Sequence, residues 1–184
     1  MKPLGRDFYD RHADCAAKDL LGKYLVRKQQ GKVRMGKIVE TEAYLGPHDL
    51  ASHSSRKKTK RTEIMFGPPG YAYVYLVYGM HHMFNAVTGP GSNPSAVLIR
   101  ALEPVENIED KTSGPGLVCR AMHIDKSLNG CDLTGGGLHI AEPPETERFE
   151  ITEKPRIGVD YAGTWAREPL RFFVSTSAYV SRKR

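Results

Sequence analysis

The sequence predicts an α+β fold: a single domain over residues 1–184, built on a curved, mostly antiparallel β-sheet with flanking helices and a protruding β-hairpin. Three observations point there. A chain of 184 residues with 40% hydrophobic and 26% charged content can fill one compact core, whereas two domains would be cramped. Short strand-like runs are separated by Gly, Pro and Asn turn signals. No internal repeat, heptad or low-complexity linker divides the chain.

Taken in order, Ala13 to Leu21 carries Ala16, Ala17, Leu20 and Leu21 at helical spacing, with Gly22 as the stop. Tyr24–Gln29 and Val33–Val39 read as strands about a Gln30-Gly31 turn. The polar, Gly/Pro-rich stretch from Gly46 to Gly70 reads as a long surface loop with room for one helical turn. Four of the nine tyrosines then fall together at Tyr71, Tyr73, Tyr75 and Tyr78. The first three alternate at period two, as on one face of a strand, and Tyr78 breaks the pattern beside Gly79. Residues 71–77 and 81–88 pair as a hairpin with Tyr78 at its tip, and Ser95–Leu102 adds a further strand. Ser113-Gly114-Pro115 suits a helix start running to about His123, since Pro tolerates the first turn. Short strands separated by Asn129-Gly130 and Gly135–Gly137 complete the chain.

Lys and Arg number 27 against 21 acids, a net charge of +6 that favours polyanionic partners. The three cysteines, Cys15, Cys119 and Cys131, show neither a disulfide framework nor CxxC spacing, which suits a reducing cytoplasm. Met1–Asp7 lacks the apolar run of a signal peptide, and no later run is long enough to span a bilayer. None of His48, His53, His81, His82 and His123 has zinc-motif spacing, so no metal and no cofactor is expected.

Several residues carry chemistry. Glu40 and Glu42 lie two apart, so an extended backbone puts both on one face, where they repel and one can serve as a general base. The competing reading is two exposed acids bridged to lysines, and spacing does not choose Glu42 over Glu40. Tyr44 and His53 follow, in reach of a shared cleft. Asn85 is unfavourable in a strand unless its amide has a task, either in a pocket or in a cross-strand hydrogen bond. Arg100 sits in an apolar strand and must meet a carboxylate or a phosphate. Arg56, Lys57, Lys58, Lys60 and Arg61 put five positive charges in six residues, fitting a loop that clamps a phosphate backbone or a plainly solvated loop. An aromatic at a hairpin tip is a tool for entering a base stack.

Together, Val39–Pro47, Ala51–Ser54, Tyr73–Met80 with Asn85, Leu98–Pro104, Ser113–Leu117 and Gly163–Phe172 resemble the alkyladenine (3-methyladenine) DNA glycosylase family, the methylpurine glycosylases of base excision repair. The resemblance covers nearly the whole chain. It implies that Glu42 activates water for attack on the sugar C1′, with Arg100 beside it and the Ile157 backbone carbonyl completing the water site. It places Tyr78 as the residue inserted for a flipped nucleotide. The base would lie between Tyr44 on one side and His53 with Tyr75 on the other, with Asn85 crowding the guanine 2-amino group, while Tyr71 and Tyr73 pack the sheet. The implied activity is monofunctional hydrolysis to an abasic site on double-stranded DNA containing damaged purines, without strand cleavage. The implied setting is a monomer at the bacterial or archaeal nucleoid. The loop from His53 to Met65 departs from the family pattern in its basicity. A different class of reading, a non-enzymatic binder of distorted DNA or structured RNA, shares the charge and the tyrosines but has no need of Glu42 with Arg100.

Overall fold

The longest strand organises the molecule. Lys32–Tyr44 (β2) pairs with Ser95–Glu106 (β5) along one edge, while Tyr24–Gln29 (β1) and Arg171–Val174 (β8) share its other edge. Beyond β5 lie His81–Thr88 (β4) and Ala72–Val77 (β3); beyond β1 lies Leu138–Ala141 (β6), and Ile151–Lys154 (β7) flanks β8. Every pairing between these strands is antiparallel. This computed structural model, which describes residues 1–181, therefore has the expected α+β class with one curled antiparallel sheet.

The strand limits differ from the sequence reading for a physical reason. β2 continues past Val39 because Glu40, Thr41 and Glu42 find ladder partners on both sides, in β5 and β8, and arginines for their charges. Three irregularities interrupt the β2/β5 ladder, one at Met35/Gly36 and two, which compensate each other, around Glu40. Val39 is unpaired between Ile38↔Leu102 and Glu40↔Ala101, and Arg100 is unpaired between Glu40↔Ala101 and Thr41↔Ile99. Bulges of this kind re-aim a side chain, and here the one so displaced is Arg100.

Helix Arg6–Tyr9 (α1) is too short to leave a periodic signal. Ala13–Asp19 (α2) presents Ala13, Ala16, Ala17 and then Leu20, all buried, as one apolar stripe against β2 and β5. Pro115–Ala121 (α3) opens on proline and packs against β4 and β5. The long loop folds into two one-turn 3₁₀ segments, His53–Ser55 and Glu63–Phe66. At the β3/β4 tip both Tyr78 (φ 51°) and Gly79 (φ 71°) are left-handed, the geometry that a tight hairpin requires and that a tyrosine adopts only at a cost.

Strand alternation then divides the sheet by function. Val39 and Ala43 of β2, Ala72 and Val74 of β3, Phe84 and Ala86 of β4, and Val97, Ile99 and Ala101 of β5 all join the main core with α2 and α3. The intervening residues, among them Glu42, Tyr73, Asn85 and Arg100, stand on the opposite face. One face builds the core; the other builds a cleft.

Candidate active site

The cleft is a cavity of about 530 Å³. Tyr44, Tyr73, Tyr75, Met83, Asn85, Leu98 and Arg100 come to it from four strands, His53 and Arg61 from the long loop, and Ile157 from beyond β7. Leu76, Val77 and Tyr78 form its rim toward the hairpin tip. Tyr78 is 89% exposed with nothing packed on it, as expected of a tip residue.

Glu40 and Glu42 are both fully buried, which overturns the reading of two exposed acids bridged to lysines. Their partners are arginines, because only a rigid, fully charged fork can compensate carboxylates withdrawn from water. Arg100 reaches both, with Nε 3.2 Å from Glu40 Oε1 and Nη1 3.3 Å from Glu42 Oε2. The structure also distinguishes the two acids. Glu40 is tied into the fold, accepting from Arg171 Nη1 at 3.0 Å and from the Ser181 backbone N–H at 2.7 Å. Glu42 accepts from cavity-lining groups: the Tyr44 hydroxyl at 2.9 Å and the Ile157 backbone N–H at 2.8 Å. Ile157 meets Glu42 through its backbone N–H, a contact distinct from the carbonyl role that the resemblance implies for it. Burial, and then the Glu42 carboxylate, push the Tyr44 hydroxyl well above the usual phenol range, so it remains a donor.

Opposite lies an aromatic cluster. His53 Nδ1 is 2.9 Å from the Tyr73 hydroxyl, and its ring meets Tyr75 edge-on with centroids 4.7 Å apart. Burial first, then Arg61 and Arg56, hold the His53 imidazole down to about 4, so it is neutral at physiological pH. Asn85 does both things considered for it: it lines the cavity and donates Nδ2 to the carbonyl of its cross-strand partner Tyr73 at 3.1 Å.

Sequence reasoning placed Tyr73 with the sheet-packing residues, yet it lines the cavity and fixes His53. The period-two pattern carried that signal, since Tyr73 must share the face of Tyr75. It gave no hint of Asp49 and Arg156. These two, both buried, form a bidentate pair, with Nη2 2.9 Å from Oδ1. Arg156 also donates to the Ala43 carbonyl and lies over the Tyr44 ring, 4.8 Å from its centroid. Asp49 accepts from the backbone N–H groups of Leu45 and Ala51. The pair thus braces the wall residue Tyr44 and the loop that carries His53. In the basic run Arg56, Lys57, Lys58, Lys60 and Arg61 are all exposed, but Arg61 alone reaches the cavity, its guanidinium carbon 5.0 Å from the Tyr75 centroid. Among the described residues no three His, Cys, Asp or Glu side chains converge as a metal-ligand set.

An enzyme acting on one base needs a slot with stacking walls and a polar group at its depth. Comparison with known proteins gives the class: residues 7–178 match the family described as methylpurine-DNA glycosylase. The chain belongs to that family, the DNA glycosylases of base excision repair that act on methylated purines. A Legionella pneumophila (strain Corby) protein named "Putative 3-methyladenine DNA glycosylase" is 56% identical over 182 residues, covering 99% of this chain and 100% of that one. Proteins of the same name from Myxococcus xanthus and Desulfitobacterium hafniense are 48% and 46% identical. They share 99% and 100% of this chain, and 95% and 100% of their own lengths. No helix among the described residues is long and apolar enough to cross a membrane.

Proposed function

We propose that this protein flips a damaged purine out of duplex DNA and hydrolyses its N-glycosidic bond with a water activated by Glu42, leaving an abasic site. The observation that carries the reading is the contrast between the two buried acids. Glu40 is consumed by the fold, while Glu42 sits among Tyr44, Arg100 and Ile157, all of which line the cavity.

In this reading Tyr78 enters the stack from the minor groove and fills the gap left by the nucleotide, offsetting the few kcal/mol of unstacking. Its exposure and its left-handed backbone present the ring outward from the tip. The extruded base lies between Tyr44 and the His53/Tyr75 wall, with Asn85 positioned to crowd a 2-amino group. Bond cleavage makes the sugar oxocarbenium-like. Glu42 stabilises that charge and takes a proton from water as the water oxygen bonds to C1′, while the C1′–N electron pair leaves with the base. Arg100 and the Ile157 carbonyl complete the water site. The exposed cations Arg56, Lys57, Lys58 and Lys60 grip phosphates. Lysine is absent from the cavity lining among the described residues, which favours hydrolysis without a covalent imine and hence without strand cleavage.

A pure binder of distorted nucleic acid gains nothing from a carboxylate buried beside its pocket, so Glu42 favours the enzyme. The test is free-base release from an alkylated duplex. Glu42→Gln should abolish release while duplex binding survives, and undiminished release would remove Glu42 from the mechanism.

A further inference from the structure

We propose, on the base-removal reading above, that Arg156 is a positioning residue of the reaction, holding the Ile157 amide and the end of β2 in the one relation that aims the Glu42 carboxylate. Glu42 Oε2 meets the Tyr44 hydroxyl at 2.9 Å and Arg100 Nη1 at 3.3 Å. Its other oxygen, Oε1, accepts from the Ile157 N–H at 2.8 Å. The aim of the acid therefore depends on a backbone amide 115 positions further along the chain.

That amide belongs to the peptide joining Arg156 to Ile157, so whatever fixes Arg156 fixes the donor. Nη1 donates to the Ala43 carbonyl at 2.8 Å and to Asp49 Oδ2, while Nη2 donates to Asp49 Oδ1 at 2.9 Å and to the Trp165 carbonyl at 3.2 Å. Ala43 is the residue between the acid and the wall tyrosine, whose ring centroid lies 4.8 Å from the guanidinium carbon. β8 stops pairing with β2 at Glu42↔Arg171, and one residue on the Ala43 N–H still reaches the Leu170 carbonyl. The Ala43 carbonyl goes to Arg156 instead, so the guanidinium takes over the strand edge where the ladder ends. One rigid planar fork thus ties together the end of β2, the Asp49 turn, the Trp165 segment and the amide that follows it.

A pair serving stability alone has no reason to leave part of its fork unused. Arg156 Nε is buried with no hydrogen-bond partner among the described residues, a cost imposed by where the other contacts lie. Asp49 offsets the guanidinium charge, so what Arg156 brings to Glu42 is geometry more than field. A lysine would keep the charge but offer one nitrogen to acceptors that now share two.

The experiment uses the whole chain with Arg156→Lys and, separately, Ile157→Pro, each assayed at temperatures where circular dichroism shows it folded. Ile157→Pro removes the amide donor and leaves the Asp49 pair in place. Gly158 follows at φ 78°, the turn pattern that accepts proline in the preceding position. Duplex affinity and the fluorescence of an ethenoadenine duplex read binding and flipping; single-turnover release from an alkylated duplex at saturating enzyme reads bond cleavage. Both variants should keep affinity and flipping near wild type while release falls by about tenfold to a hundredfold, the scale of misplacing a reacting group by about an ångström. Loss of folded protein does not produce that split, because unfolded molecules neither bind nor flip. Release at the wild-type rate by either variant overturns the role, even where the other does not fold. So does a fall in release matched by an equal fall in flipping, which would limit Arg156 to supporting the Tyr44 wall. Failure of the wild type to release any base would instead overturn the base-removal reading, and this role with it.

Discussion

Asp49→Asn should destabilise this protein far more than a one-atom change suggests. Each Asp49 oxygen accepts from two donors: Oδ1 from the Ala51 N–H and Arg156 Nη2, Oδ2 from the Leu45 N–H and Arg156 Nη1. An asparagine amide can turn either way, but its NH₂ must then face one backbone N–H and one guanidinium nitrogen with no acceptor between them. Arg156, whose Nε already has no hydrogen-bond partner, would be left as a buried charge without a counterion. Breaking one partner of such a pair costs about 3–5 kcal/mol. For a domain of this size each kcal/mol lowers Tm by roughly 2–4 °C, so the expected fall is about 6–20 °C. Urea titration at constant m-value measures it directly. Asp19→Asn is the control, since Asp19 pairs with Arg11 with 57% of its side chain exposed and should cost less than about 1 kcal/mol. A cost for Asp49→Asn no greater than for Asp19→Asn would refute the claim that this pair braces Tyr44 and the His53 loop.

Tyr78→Ala should leave stability within about 0.5 kcal/mol, because nothing packs on the ring, yet weaken capture of the flipped nucleotide. Fluorescence of a duplex containing ethenoadenine reads this, and an unchanged flipping signal would remove the wedge role. His53 should make stability depend on pH. Its imidazole titrates near 6.5 unfolded but near 4 folded, so the unfolded chain binds more protons between those values. The contribution is fully present above pH 6.5 and is lost as the pH falls through about 4. Urea titrations of wild type and His53→Gln should therefore converge as the pH is lowered from 7 to 4, and a constant difference would show that the imidazole is not held neutral.

Alternation made much of this legible. The period-two tyrosines, Glu40 with Glu42, and a lone arginine among apolar residues are all visible in the linear chain, and the resemblance drawn from them identified the family. The hairpin too was readable, because Tyr78-Gly79 can only be a tip. What was not readable depends on packing between distant segments. Nothing near Asp49 shows that Arg156, 107 positions later, will meet it in the interior. Glu40 and Glu42 look alike until the Ser181 N–H and Arg171 claim one and the Ile157 N–H claims the other. The irregularity at Val39 and Arg100, which lets one guanidinium reach both carboxylates, leaves no trace in composition. Arg61 reads as one cation among five, and only the hydrogen bonds that Thr59 and Thr62 exchange around it turn it toward the tyrosines.

Single-turnover base release by Glu42→Gln and Glu40→Gln separates the roles of the two buried acids. Both variants should be brought to temperatures at which circular dichroism shows them folded, and given a duplex bearing one alkylated purine. Glu42→Gln should bind the duplex and release no base above background. Glu40→Gln should be the less stable and the more active of the two, its loss falling on the Arg171 and Ser181 contacts. Release by Glu42→Gln at the wild-type rate, or abolition by Glu40→Gln alone, would contradict this division of roles.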